Sequence, residues 1–295
     1  MTRVAVIAHR DKELGAGLVG LRHALRDAGI EEPIWHEVSK SKKAPARARR
    51  AAKDGAELVL VWGGDGMVQR CIDALVDEDV TIGILPAGTA NLLATNLGIP
   101  HDLDQAVRIA LAGRDRALDV GLLNGEHFAV MAGAGFDARM IDGADSASKN
   151  HLGRLAYIRS GVGAMRAKGR TVRVRVDGAS WFKGTATCVL VGNVGTATGG
   201  LVVFDGASPT DGLLDVGVVT AEGATEWLRV LSRAARKRAD RSPFVTVTQA
   251  RRIDVRFDKP CLYEMDGGIR TKAKRLRFAV KPLAITVRVP LEDER

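Results

Sequence analysis

A glycine-rich segment is the first feature of this sequence whose residue types could do chemistry. Gly63, Gly64, Asp65 and Gly66 follow an apolar run that ends at Trp62 and precede a stretch with helical periodicity. Glycines allow a tight turn and a close approach of the main chain to a ligand, and the first N–H groups of a helix favour an anion. Because Asp65 would repel a phosphate directly, its position indicates that it holds Mg²⁺ or a water network. The alternative is an ordinary turn with a capping Asp.

A second loop of the same kind follows further along the chain. Pro86, Gly88, Thr89 and Asn91 come after another apolar run and before another helical stretch. The carboxyl ends of parallel strands meet at one edge of a sheet, so both loops are expected at the same edge. Thr89 and Asn91 offer hydrogen-bonding groups there, although either residue could instead be the N-cap of the helix. Together, the two loops predict a nucleotide site.

The chain up to about residue 120 supplies the elements that must position these loops. Apolar runs alternate with stretches of helical periodicity. Continuous apolar strands between helices are typical of a parallel sheet that is covered on both faces. We predict strands at Val4–Ala8, Glu57–Trp62 and Thr81–Leu85, and helices at Leu18–Ala28, Lys40–Lys53, Met67–Val76 and Ala90–Leu97.

After about residue 120 the pattern changes to short alternating runs that are separated by turn residues, which predicts an antiparallel β-sandwich. Two helices interrupt these runs, near His151–Ala167 and Ala224–Ala239. The change of pattern near Gly121–Asn124 places an α/β domain at residues 1–122 and a sandwich domain at 123–283. The runs are His127–Met131, Thr171–Val176, Thr185–Gly192, Leu213–Thr220, Val245–Thr248, Ile253–Phe257, Leu262–Met265, Leu276–Val280 and Ile285–Val289.

Composition narrows the class of partner. The net charge of +9 favours polyanions, namely nucleotide phosphates, nucleic acid or an anionic membrane. No aromatic and basic module of a nucleic-acid-binding domain is visible, so nucleic acid is not expected. The cysteines, Cys71, Cys188 and Cys261, form no CxxC pair, which is consistent with a reducing cytoplasm. A cytoplasmic location is expected, and peripheral membrane contact stays open.

Several motifs, in order along the chain, resemble the catalytic domain of diacylglycerol kinases, sphingosine kinases and their bacterial relatives. They begin with the GGDG and PAGTAN loops and the LGIP that follows. They continue with Phe128–Asp137 (FAVMAGAGFD), Gly192-Asn193, Asp211–Asp215 (DGLLD) and Met265-Asp266-Gly267. The resemblance implies a first domain like that of NAD kinase and phosphofructokinase, followed by a β-sandwich. It also implies that the final strand, residues 284–290, returns to the first domain.

The resemblance also assigns roles to acidic residues. It implies ATP and Mg²⁺ as cofactors and makes Asp266 the general base on a lipid hydroxyl, where a plain Asp-Gly hairpin turn is the alternative. Asp119 matches a position near the magnesium and water network, although it could be a solvated carboxylate at a strand end. Asp211, with the Leu213 carbonyl, could hold a structural Mg²⁺, and a type I turn would explain the same residues.

Some positions depart from the family pattern. Met67 stands where Thr is usual, Leu92 replaces an Asp, Thr95 replaces an Arg, and Gly268 replaces the Glu of an Asp-Gly-Glu triplet. These departures make the identity of the acceptor less certain than nucleotide binding. They also motivate a third reading, a regulatory protein that binds nucleotide without turnover.

The sequence therefore favours an ATP-dependent kinase that acts on diacylglycerol or a related lipid alcohol at a membrane surface. An NAD kinase-like enzyme with a soluble substrate is the enzymatic alternative, because it shares GGDG. A homodimer is an open alternative for the assembly. The basic amphipathic stretch Glu226–Arg238 could rest on anionic lipid, or its apolar side could pack on the sandwich.

Overall fold

The computed structural model describes residues 2–135, 169–197 and 200–291. Its chain divides into two compact units. The first unit contains the residues up to Val120 together with those from Pro282 onward, and the second unit is Gly121–Lys281. Both ends of the chain therefore contribute to the first unit.

Strands and helices alternate in the first unit. Its helices each bury one side, as Leu21 and Leu25 do in α1 and as Ala44, Ala48 and Ala51 do in α2. This spacing is that of one helix face, which packs on the sheet. The elements are β1 (Val4–His9), α1 (Gly17–Asp27), β2 (Ile34–Val38), α2 (Ala44–Lys53), β3 (Leu58–Gly63), α3 (Asp65–Leu75), β4 (Thr81–Pro86), α4 (Leu92–Asn96), α5 (Leu103–Ala112) and β5 (Arg114–Leu123).

The second unit is mostly β-structure. Its elements are β6 (Glu126–Phe128), β7 (Met131–Ala134), β8 (Arg170–Val176), β9 (Ala179–Ala186), β10 (Cys188–Gly192), β11 (Leu214–Val219), α6 (Gly223–Ala234), β12 (Val245–Ala250), β13 (Arg252–Met265) and β14 (Gly268–Val289). The predicted helix at His151–Ala167 lies outside the described residues. Two strands, β5 and β14, run from one unit into the other.

The sheet of the first unit is parallel, with the strand order β2–β1–β3–β4–β14. Its central strand β3 is buried along its whole length, as expected for a strand with helices on both faces. The end of strand β14 joins this sheet, because Thr286 and Val287 pair with Thr81 and Ile82 of β4. Both loops of interest follow strands that are neighbours in this sheet, β3 and β4.

The second unit is an antiparallel sandwich. The long strand β13 serves both of its layers, since Ile253–Phe257 pairs with β8 whereas Tyr263–Met265 pairs with β7. Register shifts near Cys261 separate these two parts, as expected where a strand bends from one sheet into another. The predicted fold class, a parallel α/β part followed by an antiparallel sandwich, is confirmed.

Helix α6 packs its apolar side on the sandwich. Trp227 and Val230 are buried against Cys188 and Ala221, whereas Leu228 is 62% exposed. The apolar side of this basic helix is thus covered by the protein itself, which is the packing alternative rather than the lipid-contact one. None of the helices in the described ranges is long and apolar enough to span a bilayer.

Three elements of the first unit were not predicted from the sequence. Strand β2 carries Trp35, His36 and Glu37, and its polar residues conceal the strand pattern. Only Gly113 separates helix α5 from strand β5, and so short a connection does not reveal the boundary between them in the sequence. In the second unit, β9 and the first half of β14 were missed because neither contains a run of buried residues, and the first half of β14 is also rich in Lys and Arg.

Candidate functional site

The GGDG segment forms the junction between β3 and α3. Gly63 is the last residue of β3, and Gly64 is the N-cap of α3 with an extended backbone. The carbonyl oxygen of Gly64 accepts hydrogen bonds from the N–H groups of Met67 (2.9 Å) and Val68 (3.1 Å). The first N–H groups of this helix have no partner within the helix, so they can bind an anion at the loop.

Asn91 builds the second loop. Its side-chain oxygen accepts a hydrogen bond from the N–H of Gly88 (2.9 Å), and its amide nitrogen donates to the carbonyls of Pro86 (3.1 Å) and Gly88 (2.8 Å). The side chain is therefore used inside the loop, and although Asn91 occupies the N-cap position of α4 it makes no side-chain capping bond. Its φ of 48° is a left-handed conformation that Asn tolerates. Thr89, in contrast, is exposed at the tip of the loop.

The two loops touch through their glycines. A Cβ placed on Gly88 would lie 2.4 Å from the Cα of Gly64, and one on Gly64 would lie 3.1 Å from the Cα of Gly88. The N–H of Ala87 also donates to the carbonyl of Gly63 at 3.1 Å. Only glycine allows this approach of two main chains. The structure therefore brings together the two loops that the sequence predicted as neighbours.

Asp65 links the same two loops. Its Oδ1 accepts a hydrogen bond from the N–H of Leu93 at 3.3 Å, so the carboxylate caps the start of α4 rather than its own helix. Burial raises the pKa of the Asp65 carboxyl, and hydrogen bonds from main-chain N–H groups at the start of α4 oppose that rise. This half-buried carboxylate fits a hydrated Mg²⁺, which is commonly held by one or two carboxylates together with substrate phosphates.

Met67, one of the departures from the family pattern, faces the interior. Its side chain is 2% exposed and lies over Gly63, where an added Cβ would meet the Met67 sulfur at 2.9 Å. The residue fills the space between β3 and α3. Thr95 is exposed, and its hydroxyl donates to the carbonyl of Asn91 at 3.0 Å.

In the second unit, Asp266 lies in a tight hairpin turn between β13 and β14. Asp266 and Gly267 both have positive φ, 44° and 77°, which is the arrangement of a type I′ turn. The hairpin alternative therefore describes the backbone correctly. The side chain does not fit that alternative, because Asp266 is only 3% exposed, whereas the side chain of a plain hairpin turn points into solvent.

The Asp266 carboxylate is held by main-chain N–H groups. Its Oδ2 accepts from Ala129 (2.8 Å), and its Oδ1 accepts from Val130 (3.0 Å) and Met131 (2.9 Å). The N–H of Asp266 in turn donates to the carbonyl of Met131 at 2.9 Å. These hydrogen bonds fix the orientation of the carboxylate. The hairpin thus presents an oriented carboxylate.

The segment that binds Asp266 is itself held by Asn193. Asn193 is 2% exposed. Its side-chain nitrogen donates to the carbonyl of Ala129 at 3.0 Å, and its main-chain N–H donates to the carbonyl of Val130 at 2.9 Å. The Gly192-Asn193 motif pointed to this position, but its supporting role was visible only in the structure.

A cation lies beside the hairpin at the position of the missing glutamate. A Cβ on Gly268 would lie 2.5 Å from Nη1 of Arg270, so the guanidinium occupies the space of a side chain at position 268. Arg270 forms a two-point ion pair with Glu126, with Nε donating to Oε2 at 2.8 Å and Nη2 donating to Oε1. Sequence reasoning missed this pair, because its residues are distant in the chain and neither belongs to a motif.

Glu264, on the strand that leads into the hairpin, carries a perturbed carboxyl group. Burial raises its pKa to about 7, against the opposing effects of a hydrogen bond from the Gly267 N–H and of the Arg270 charge. This carboxyl ionises at lower pH in the unfolded chain than in the folded one. The free energy of unfolding therefore falls as the pH rises from about 4.5 to about 7.

Glu264→Gln is therefore expected to stabilise the protein above pH 7 by up to about 3 kcal/mol relative to its effect at low pH. Below about pH 4.5, the ordinary pKa of Glu, the carboxyl is protonated in both states and this term vanishes. Urea unfolding of both proteins across the pH range measures the difference. The exposed control Glu31→Gln should show no such trend, and a parallel pair of curves for wild type and Glu264→Gln would refute the prediction.

The other predicted acidic residues lie elsewhere. Asp119 is 1% exposed on β5, so it is not a solvated carboxylate, and its Oδ1 accepts from the N–H of Leu283 at 2.8 Å. This bond anchors the chain where it returns to the first unit, and the assignment of Asp119 to a magnesium network stays a prediction.

Asp211 forms a local turn, in which its Oδ1 accepts from the N–H of Leu213 at 2.9 Å. Asp215 lies close enough to feel its charge. Burial raises the pKa of Asp215 to about 6, the Asp211 charge adds to the rise, and a hydrogen bond with Gln249 opposes it. Carboxylate oxygens such as those of Asp211 and Asp215 are donors of the type that Mg²⁺ takes.

Comparisons with known proteins agree with this arrangement. The family profile described as "Diacylglycerol kinase catalytic domain" matches residues 11–123, and the one described as "YegS C-terminal NAD kinase beta sandwich-like domain" matches residues 130–289. The chain therefore belongs to the diacylglycerol kinase catalytic-domain family. Since the named members of this family are kinases, membership supports a phosphotransferase.

Curated relatives span most of the chain. A protein of Klebsiella pneumoniae (strain 342) named "Probable lipid kinase YegS-like" is 31% identical over 94% of this chain and 93% of its own length. A protein of Bacillus subtilis (strain 168) named "Diacylglycerol kinase" is 28% identical over 80% and 79% of the two chains.

Solved structures show the same fold. A diacylglycerol kinase from Bacillus anthracis str. Sterne superposes with a TM-score of 0.76 at 19% identity, covering 97% of this chain and 96% of the other. An NAD kinase from Archaeoglobus fulgidus, solved in complex with ATP, superposes with a TM-score of 0.56 at 13% identity, covering 99% and 95%. At these identities the likeness concerns the fold alone.

Proposed function

We propose that this chain transfers the γ-phosphoryl group of MgATP to the hydroxyl of diacylglycerol or of a related long-chain lipid alcohol. The observation that carries the proposal is the buried Asp266 carboxylate, held by three main-chain N–H groups at the tip of a hairpin. Relatives named lipid kinase and diacylglycerol kinase, which cover most of the chain, support a lipid as the acceptor.

The two glycine loops are assigned to the nucleotide. Neither Gly64 nor Gly88 carries a side chain at the contact between the loops, so the main chain can approach a phosphate closely, and Thr89 adds an exposed hydroxyl. Asp65 would hold the magnesium ion that accompanies the phosphates. When bound, Mg²⁺ would neutralise negative charge on the phosphates during transfer.

Asp266 is assigned to the acceptor hydroxyl. Phosphoryl transfer has a loose transition state, so its catalysts mainly position the nucleophile and take its proton late. A carboxylate that is fixed by three N–H groups suits this task, because its orientation is set before the substrate binds. The hydroxyl oxygen then forms the new bond to phosphorus, the bond to the leaving ADP oxygen breaks, and the proton passes to Asp266.

A second Mg²⁺ is assigned to the turn that precedes β11. Asp211 and the Leu213 carbonyl would hold it, and Asp215 supplies a further carboxylate beside them. An ion there would lower the repulsion between the two carboxylates, so its role would be to stabilise the turn rather than to take part in transfer.

A soluble acceptor is the alternative that the fold allows, since an NAD kinase has the same fold. The regulatory reading rests on the departures from the family pattern. The position of Arg270 beside Gly268 weakens that reading, because the missing glutamate is accompanied by a local rearrangement rather than by a gap.

Purified protein is expected to transfer label from ATP to diacylglycerol in an assay that also contains ceramide, a sphingoid base and NAD as separate acceptors. Transfer should require Mg²⁺ and stop when the metal is chelated. Label in NADP alone would replace the lipid kinase with the soluble alternative. Nucleotide binding without any labelled product would favour the regulatory reading.

A further inference from the structure

One outer face of the sandwich carries a dense group of cations. Strands β9, β8, β13 and β14 are neighbours, and residues on one side of each point away from the core. The inward residues, such as Val174, Val255 and Leu276, are buried in the core. Seven of the outward residues are basic, and Asp254 lies among them. The arginine face is defined here as Arg173, Arg175, Lys183, Arg252, Arg256, Arg275 and Arg277.

The register places these cations directly opposite one another. One row across the four strands reads Lys183, Arg173, Arg256 and Arg275. The next row contains Arg175, Asp254 and Arg277. Like charges that face each other across neighbouring strands are destabilising. A sequence that keeps such a row against its own stability points to a ligand that compensates the charge.

Asp254 neutralises only part of the face. It pairs with Arg275 and, at 3.5 Å, with Arg256. Asp177, at the edge of the face, uses its carboxylate to accept main-chain N–H groups of Arg251 and Arg252. In the described part of the chain, the side chains of Arg173, Arg252 and Arg277 make no ion pair, so most of the positive charge remains available to a partner.

We propose that the arginine face docks the protein on an anionic lipid bilayer. Basic clusters are attracted by the negative potential of such a surface within about one Debye length. The face is a broad sheet, whereas the major groove of DNA admits a helix or a two-stranded ribbon. No exposed aromatic residue for base stacking lies among the residues of the face, and the nearby Trp181 packs on the core. The preference for lipid over nucleic acid rests on the proposed function.

A depression beside the face could receive a lipid headgroup. It has a volume of about 520 Å³, and its wall includes Arg275, Arg277, Phe278 and Asn124. Of its two cations, Arg275 is paired with Asp254, and Arg277 makes no ion pair within the described residues, so its guanidinium suits a phosphate group.

The full-length chain is expected to sediment with vesicles of phosphatidylcholine mixed with phosphatidylglycerol, but not with vesicles of phosphatidylcholine alone. The variant Arg173→Gln/Arg252→Gln/Arg277→Gln should bind the mixed vesicles about 100-fold more weakly, since each cation near the surface contributes about fivefold. These three residues lack ion-pair partners, so their loss leaves the Asp254 pairs intact.

The matched control is Lys42→Gln/Arg47→Gln/Lys53→Gln. It removes the same charge from exposed positions in and next to α2 of the first unit and should keep most of the binding. Equal weakening in both variants would mean that overall charge alone drives association and would overturn the proposal. So would absent vesicle binding, or tighter binding of duplex DNA than of the mixed vesicles.

The kinase assay separates this proposal from the proposed function. With diacylglycerol dispersed in detergent, the arginine-face variant should turn over like the wild type, whereas with diacylglycerol in mixed vesicles it should lose activity. If the wild type phosphorylates no lipid in detergent but still binds anionic vesicles, the proposed function fails and the docking surface stands. If the wild type phosphorylates diacylglycerol in detergent but does not bind the vesicles, the proposed function stands and the docking proposal fails.

Discussion

Asp266→Asn is expected to reduce phosphoryl transfer by at least about 100-fold, the usual contribution of a positioned proton acceptor, while ATP binding is retained. Asn keeps the shape of the side chain but loses the charge, and its –NH₂ group donates instead of accepting. With the amide nitrogen in the place of Oδ2, the N–H of Ala129 would face another donor, and in the place of Oδ1 the N–H groups of Val130 and Met131 both would. A loss of about 1–3 kcal/mol in unfolding free energy should accompany the loss of activity.

Because the variant is also destabilised, its activity must be measured on folded protein. Thermal unfolding and equilibrium ATP binding establish the folded fraction, and single-turnover kinetics then report the chemical step. Asp177→Asn is a matched control. Asp177 also begins an Asp-Gly hairpin turn with positive φ and accepts main-chain N–H groups of Arg251 and Arg252. The Asp177→Asn variant should lose some stability and keep its kinase activity. Comparable turnover in folded Asp266→Asn would remove Asp266 from the reaction.

Gly88→Ala is expected to abolish measurable nucleotide binding. The added methyl group would lie 2.4 Å from the Cα of Gly64 and 2.7 Å from the Asn91 side-chain oxygen, so the loops would have to separate. Overpacking of this kind costs about 1–3 kcal/mol, and a displacement of about 1 Å at a positioning loop can lower the rate by about 100-fold. Isothermal titration with MgATP measures the affinity, and thermal unfolding measures the strain.

Gly184→Ala provides the comparison for that variant. It makes the same chemical change on β9, where the new Cβ would meet only the end of the Phe182 ring at 3.3 Å. Nucleotide affinity should stay at the wild-type value. If Gly88→Ala also binds MgATP normally, the contact between the two loops does not organise the nucleotide site.

Local patterns were sufficient for much of the fold. The buried strands β1, β3 and β4 appear in the sequence as uncharged apolar runs, because a strand that is covered on both faces has no polar side. The glycine loops were also recognisable, since their residue types serve local backbone conformation. Strands β2 and β9 were not recognisable, because an exposed or edge strand lacks that apolar signal.

The sites show the same division. Residue types and the family resemblance selected Asp65 and Asp266 but gave neither its hydrogen bonds. That Asp65 caps α4 of the neighbouring loop, and that Arg270 pairs with Glu126, depends on segments that are distant in the chain. Contacts between distant segments cannot be predicted from the local patterns of a single sequence.

By itself, the sequence determined the class of fold, the order of the two parts and the loops that should bind phosphate, because each follows from short-range patterns of polarity and backbone freedom. Only the tertiary structure decided which groups meet. It placed the Asp266 carboxylate against three N–H groups of another strand connection. It also aligned basic residues from separate strands into one face through their register, which long-range pairing alone sets.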